Sequence, residues 1–298
     1  MPFRFKKSES PAKAVRRVCR ERVGAALDCL RRPERPAAVH GARKEIKKLR
    51  AIFRLLRGEI SLGTYRKGVK ALRAAADCLA ATRDSRVMLK AVEKLAGRSA
   101  RKFAGIETAL REHARREARQ FRRNDSVALA ERLLRKTHRR VGDLKIKASG
   151  WTAIAPGLKQ SYQRGREACR LVRKKSAPEN FHDWRKHVKD LWYYFCLLKP
   201  VSPAAMRAMT DELELLGEQL GEDHDLFLLQ IFIAEHCAAQ TGEVTALARL
   251  IESRQQRLRR AALKLGSRLY AETPAKFCRR LVDCTDNQSL AGRAPKMS

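Results

Sequence analysis

Two short segments of this chain carry the same row of basic side chains in the same order. Residues 39–47 and residues 181–189 both read H-x-x-R-K-x-x-K, at an offset of 142 positions. Aligning 39–56 with 181–198 gives eight identities in 18 positions, where unrelated segments would share roughly one. His, Arg and Lys side chains donate hydrogen bonds and carry positive charge, so the chemistry that they suggest is anion binding. An internal duplication is the economical explanation.

Each segment must be a helix for its residues to be used together. Apolar residues recur at steps of three and four in both copies, which predicts one packed helix face. The first copy has Val39, Ala42, Ile46, Leu49, Phe53 and Leu56, and the second has Phe181, Trp184, Val188, Leu191, Phe195 and Leu198. At about 100° per residue the basic side chains fall together beside that face. The two rows are His40, Arg43, Lys44, Lys47, Arg50 and Arg54, and His182, Arg185, Lys186 and Lys189.

A solvated surface is the alternative interpretation of such a row. Folding does not require four cations side by side, since like charges at these spacings repel. A solvated face is also free to change, yet all four polar positions recur in the second copy. The repetition therefore favours binding over solvation. Each histidine retains a second interpretation, as a neutral donor that fixes helix packing.

Composition narrows the class of partner. The 298 residues include 66 Lys+Arg and 32 Asp+Glu, for a net charge of +34, while 44% are hydrophobic. Such a chain can bury a core, and polyanionic partners would relieve its self-repulsion. We expect a cytoplasmic protein, because the sequence has neither a membrane-length apolar run nor a secretory signal. The eight cysteines include no C-x-x-C pair, so we expect small buried hydrophobes, no metal and no cofactor.

Helical periodicity runs through nearly the whole chain and predicts an all-α fold. The two motif helices suggest two antiparallel bundles related by a pseudo-twofold axis, with a basic groove between them. We assign residues 1–145 and 146–285 to the two bundles and 286–298 to a flexible tail. The predicted helices are 9–31, 37–57, 62–81, 84–96, 98–122, 125–142, 154–175, 179–199, 203–221, 224–239, 242–271 and 274–285.

Two aspartates occupy matching positions downstream of the motifs. Residues 79–84 correspond to residues 220–225, and each segment follows its motif helix in the same order. We interpret Asp84 and Asp225 as residues at helix starts, where a carboxylate caps amides and suits the helix dipole. No pairing of a nucleophile with a base stands out, so we expect no enzymatic activity.

The two motifs and the downstream Arg83-Asp84 and His224-Asp225 positions resemble the conserved histidine α-helical domain family, abbreviated CHAD. The resemblance covers roughly residues 9–285. It implies two pseudo-symmetric helical bundles that bind inorganic polyphosphate on a basic surface where they meet. It also implies association with polyphosphate granules. His40, Arg43, Lys44, Lys47, His182, Arg185, Lys186 and Lys189 would line that surface.

Polyphosphate suits these side chains on chemical grounds as well. The polymer offers only charged oxygen acceptors, which the Arg fork and the compact Lys charge can satisfy without base-reading groups. The remaining candidates for this surface are Arg50, Arg54, Arg16, Arg20, Arg166, Arg170 and Arg173. A general nucleic-acid-binding protein is the alternative, and weak non-specific affinity for nucleic acid is expected at this charge. An enzyme acting on phosphoanhydrides ranks third, because carboxylates to hold a catalytic metal are lacking.

Overall fold

The computed structural model describes residues 3–6, 9–31, 37–80, 84–97, 102–146, 150–199, 203–237 and 241–281. Within these ranges the chain is helical and forms no strand, so the predicted all-α class is confirmed. The tail at 286–298 lies outside the described residues. The helices are α1 Pro11–Leu30, α2 Ala38–Leu55, α3 Leu62–Cys78, α4 Asp84–Ala96, α5 Ala104–Arg123, α6 Ser126–Gly142, α7 Ala155–Lys174, α8 Pro178–Leu198, α9 Pro203–His236 and α10 Thr241–Leu269. Residues 274–281 form a further helical segment.

The predicted break between residues 221 and 224 is wrong. Helix α9 runs without interruption from Pro203 to His236. Buried leucines lie on both sides of the proposed break, Leu216 and Leu220 in one hydrophobic core and Leu226 and Leu229 in another, and their packing keeps the intervening segment with Gly221 helical. Asp225 therefore lies inside a helix and not at its start, whereas Asp84 is the first residue of α4.

One hydrophobic core contains both motif helices. The aligned pairs Leu49/Leu191 and Phe53/Phe195 are all buried in it, each with at most 1% of its surface exposed. Trp184 is fully buried, as its place on the apolar stripe predicts. Helix α1 packs on α2, α7 packs on α8, and α2 contacts α8 directly. The two rows of cations are thus carried by neighbouring helices of one core.

A second core joins helices that are distant in the chain. Leu110 of α5 and Val92 of α4 are buried with Leu229 of α9 and Ile251 of α10. Helices α4 and α5 therefore pack against α9 and α10. Helix α9 contributes to both cores, since Leu216 belongs to the first and Leu229 to the second. The boundary near residue 146 stays a prediction.

None of the described helices combines the length and apolar character needed to cross a lipid bilayer. Of the described cysteines, Cys19, Cys169 and Cys237 are buried and the others are partly buried, all as thiols. The expectation of small buried side chains is therefore confirmed for these three positions.

Candidate anion-binding site

The cations of the second motif line a pocket at the junction of the two cores. Arg185 and Lys189 of α8 meet Lys90 and Lys94 of α4 across a cavity of about 450 Å³. Helix α9 forms the remaining wall. Four cations from two helices with different positions in the chain converge here, because α4 packs on α9 in the second core and α8 packs on α9 in the first.

Two glycines of α9 allow the motif side chains to lie flat against this wall. A Cβ atom on Gly217 would stand 2.9 Å from Cδ of Lys189, and one on Gly221 would stand 3.4 Å from Nε of Arg185. The first distance is shorter than an ordinary van der Waals contact, and the second is at the lower limit of one. The missing side chains therefore make room for the stems of Lys189 and Arg185.

Carboxylates share the same wall and limit its positive charge. Glu218, Glu222 and Asp225 all border the pocket. Glu222 pairs with Lys94 at 2.7 Å and with Arg254 of α10 at 2.6 Å, and these two cations hold the pKa of Glu222 below its usual range, Arg254 being the larger influence. The pair with Lys94 links α4 to α9 at the edge of the pocket.

The first motif approaches the second through Lys47 and His182. Burial lowers the pKa of His182, and the charges of Lys186, Arg185 and Lys47 lower it further. Lys47 belongs to α2 and His182 to α8, so the charge of a cation in the first row acts on a residue of the second row. Arg43 donates a hydrogen bond from Nη1 to the carbonyl of Ala76 at 3.1 Å. His40 and Lys44 are exposed at the start of α2.

His182 of α8 and His224 of α9 form a close pair of tilted rings. Their ring centroids are 4.1 Å apart, with 35° between the planes. Nδ1 of His182 is buried and makes no hydrogen bond within the described part of the chain. Two imidazolium ions at this distance would repel each other, and the neighbouring cations oppose protonation as well. An anion bound at this point would offset both costs.

Lys189 combines a cation–π contact with a strongly lowered pKa. Its ammonium group lies 3.6 Å from the centre of the Trp192 ring, a cation–π contact that aligns the side chain along the pocket. Burial lowers the pKa of Lys189 to about 8, with Arg185 adding to the effect. A multiply charged anion in the pocket would favour the protonated form.

This depressed pKa predicts a specific pH dependence of stability. The pKa of Lys189 falls from 10.5 to about 8 on folding, so between these values the unfolded chain binds the additional proton and stability rises with pH. We expect the free energy of unfolding of the free protein to increase across this window. Lys189→Met should reduce the increase between pH 8 and pH 10 by about 2 kcal/mol. Urea unfolding at pH 8, 9 and 10 measures it, with Lys136→Met as the exposed control. An equal increase in both variants would contradict the assignment.

The far end of the first row is engaged in a contact between the motif helices. Nε of Arg54 on α2 donates to Oδ2 of Asp190 on α8 at 2.6 Å, and a second hydrogen bond from Nη2 completes a bidentate pair. Arg50 lies one turn earlier, and burial followed by the charge of Arg54 lowers its pKa. The charge of Arg54 is therefore balanced within the protein, whereas Arg50 beside it forms no ion pair with a carboxylate among the described residues.

The remaining candidates lie on α1 and α7. Nε of Arg16 donates to the carbonyl of Leu144 at 2.9 Å, and Nε of Arg166 donates to that of Tyr270 at 3.0 Å. Arg173 donates to Ser267, and Arg20 is exposed. Arg166 and Arg170 border a separate pocket of about 380 Å³ formed by α7 and residues 273–275. These cations do not line the pocket of Arg185 and Lys189, and their participation stays a prediction.

Several residues of the pocket were absent from the sequence analysis. Lys90 and Lys94 lie on α4, whose packing against α9 depends on contacts between residues more than 120 positions apart. Gly217 was interpreted only as part of a helix, and His224 only through its neighbour Asp225. The sequence could have indicated His224 as a site residue, because it lies in the downstream segment 220–225 that corresponds to residues 79–84.

The chain is similar to a known protein family and to a solved structure. The family profile described as CHAD domain matches residues 14–234. The chain belongs to the CHAD family. Among solved structures, PptA from Streptomyces chartreusis resembles this CHAD chain with a TM-score of 0.67 at 15% identity, over 89% of this chain and 100% of that one. At this identity the likeness shows a shared fold. No curated protein shows significant similarity to the sequence.

Gly217 provides a direct test of the pocket wall in this CHAD protein. Gly217→Ala should displace the stem of Lys189 and lower affinity for a bound polyanion by roughly threefold to tenfold. Stability should stay equal or rise by up to about 1 kcal/mol, because Ala favours helix over Gly. Isothermal titration and thermal unfolding measure the two effects. Gly24→Ala is the matched control, since no atom lies within 4 Å of the added Cβ. Equal affinity of both variants would exclude Gly217 from the site.

Proposed function

We propose that this protein binds inorganic polyphosphate without enzymatic turnover, along a basic groove between two helical halves that arose by duplication. The observation that carries the proposal is a cluster of cations beside the two motif helices: Arg185 and Lys189 of the second motif face Lys90 and Lys94 across one pocket. The charge of Lys47 from the first motif also helps to lower the pKa of His182. Membership of the CHAD family supports the same ligand. Association with polyphosphate granules belongs to this proposal.

The duplication is supported by equivalent positions within the two motif helices. Leu55 and Leu56 in the first copy and Leu197 and Leu198 in the second are all buried in one core. Arg54 and Asp190 pair across the two helices. At the offset of 142, Cys196 corresponds to Arg54 and Lys48 corresponds to Asp190. These two residues are also near each other, since the charge of Lys48 acts on the pKa of Cys196. This reciprocal placement is what a twofold relation between α2 and α8 requires.

The chemistry of the pocket fits a chain of phosphates better than a nucleic acid. Arg and Lys supply charge and donors for phosphate oxygens, and the described aromatics near the motifs are engaged in packing: Trp184 is buried, and Trp192 supports Lys189. Stacking platforms for bases are therefore not provided by these two residues. Polyphosphate binding would also offset the mutual repulsion of Arg185, Lys189 and Lys47.

A competition experiment tests the proposal. Labelled long-chain polyphosphate is bound near physiological salt, and duplex DNA, RNA or heparin is added at an equal concentration of charge. We expect unlabelled polyphosphate to displace the label at a concentration roughly tenfold or more below that of any competitor. Displacement by DNA at the same concentration would contradict the proposal and favour the general nucleic-acid-binding alternative. Incubation with Mg²⁺ or Mn²⁺ should leave chain length unchanged, and release of orthophosphate would contradict the non-enzymatic part.

A further inference from the structure

Helix α5 carries a strip of exposed arginines on the side that faces away from the core. Arg116, Arg119 and Arg123 are exposed and border a shallow concavity of about 530 Å³. At about 100° per residue they fall on the side of α5 opposite Ile106 and Leu110, which are buried in the second core. Among the described residues these three arginines make no ion pair with a carboxylate.

The same strip recurs on α10. At an offset of 141 residues, Ile106 and Leu110 correspond to Leu247 and Ile251, which are also buried in the second core. At that offset the three arginines become Arg257, Arg260 and Lys264, and all three are exposed. We call these six residues the outer strips: Arg116, Arg119, Arg123, Arg257, Arg260 and Lys264.

Local structure does not account for the outer strips. Cations in the last turn of a helix suit the helix dipole, which would explain Arg123 at the end of α5. The effect is confined to the terminal turn, however, and Arg257 and Arg260 lie well inside α10. Two neighbouring acids are committed to other partners, since Glu107 pairs with Arg111 and Glu117 contacts Ser85 and His113. Among the described residues, Glu112 and Glu252 form no ion pair with the strips.

None of the six residues of the outer strips lines the pocket, and the second core lies between the pocket and the strip of α5. The pocket lies between α4, α8 and α9. Helix α5 packs on α4 and α10 through its buried side, so its strip points away from the helix that lines the pocket. One polyanion segment held at Arg185 and Lys189 would therefore leave the outer strips open to another segment.

We propose that the outer strips are a second polyanion-binding surface, and that through it the protein cross-links polyphosphate chains rather than merely coating one. This inference rests on the proposed function. Two separate surfaces on one molecule allow two segments to bind simultaneously, and chains long enough to reach several molecules then become a network. A short oligomer can occupy the pocket but cannot connect molecules.

The test compares short and long polyphosphate using a variant that removes both strips. R116Q, R119Q, R123Q, R257Q, R260Q and K264Q are combined, and glutamine preserves helix propensity. The matched control removes six exposed cations of α3 and α6 by R66Q, K67Q, K70Q, R132Q, K136Q and R139Q. Affinity for a short oligomer is measured by titration, and network formation with long-chain polyphosphate is measured by light scattering.

We expect the affinity of the strip variant for the short oligomer to be within about twofold of that of the unaltered protein. Its light scattering with long-chain polyphosphate should be at least about fivefold lower. The control should keep both properties. Unchanged scattering by the strip variant, or an equal loss by the control, would overturn the second surface. Failure of the unaltered protein to bind the short oligomer would instead contradict the proposed function, so the two failures are distinguishable.

Discussion

Replacing four motif cations together should lower polyphosphate affinity by at least roughly 100-fold near physiological salt. The variant combines R43Q, K47Q, R185Q and K189Q, which takes two cations from each copy. A loss of about 0.7 kcal/mol at each position is sufficient for this change. The slope of log affinity against log salt should also become shallower by about 3, since each phosphate contact releases a counterion fraction of about 0.7. Titration at three salt concentrations measures both quantities.

The control for this variant removes the same charge elsewhere. K70Q, R132Q, K136Q and R139Q alter exposed side chains of α3 and α6 and reduce the net charge by the same amount. We expect less than a threefold change in affinity, because distant exposed charges are largely screened. Helicity of both variants is checked by circular dichroism. If the control weakened binding as much as the motif variant, net charge alone would account for the interaction.

Removal of Asp190 should have the second large effect, on stability. Asp190 is 11% exposed at its side chain and Arg54 is 26% exposed, so Asp190→Ala would leave the guanidinium largely buried without its carboxylate. Breaking such a pair costs about 3 kcal/mol. The melting temperature should fall by about 6 to 12 °C for a chain of this size. Differential scanning calorimetry measures the change.

Two companion variants make this prediction specific. Asp183→Ala removes an exposed carboxylate that pairs with Lys186 at 3.5 Å, and its effect should stay within about 0.5 kcal/mol. Combining Arg54→Met with Asp190→Leu removes both charges, and it should recover most of the stability lost by Asp190→Ala, since apolar replacement of a buried pair is often neutral. A melting temperature for Asp190→Ala equal to that of Asp183→Ala would show that the pair does not stabilise the fold.

The motif helices were predictable because their periodicity is local. The apolar stripe of 39–56 falls on one side of α2, and the residues at Leu49 and Phe53 are buried as their spacing requires. The continuous α9 was not predicted, because a glycine and a cluster of polar residues at 221–224 are typical of a break. Burial of Leu220 and Leu226 in two different cores holds this segment helical, and the sequence pattern cannot show which core a leucine will join.

The pocket was only partly predictable for a similar reason. Arg185 and Lys189 were identified by repetition, which is visible in the sequence. Lys90 and Lys94 face them only because α4 crosses to α9, a tertiary contact without a local signature. Asp190 interrupts the basic row after Lys189. It pairs with Arg54 of α2, a contact between distant residues that the sequence pattern does not indicate.

A crystal structure of the protein with a short polyphosphate oligomer tests the proposed binding site most directly. We expect phosphate groups within hydrogen-bond distance of Arg185 and Lys189, extending past His182 to Lys47, so that one ligand contacts both α2 and α8. Phosphates seated only on the outer strips, or on one motif helix with the other facing solvent, would contradict it.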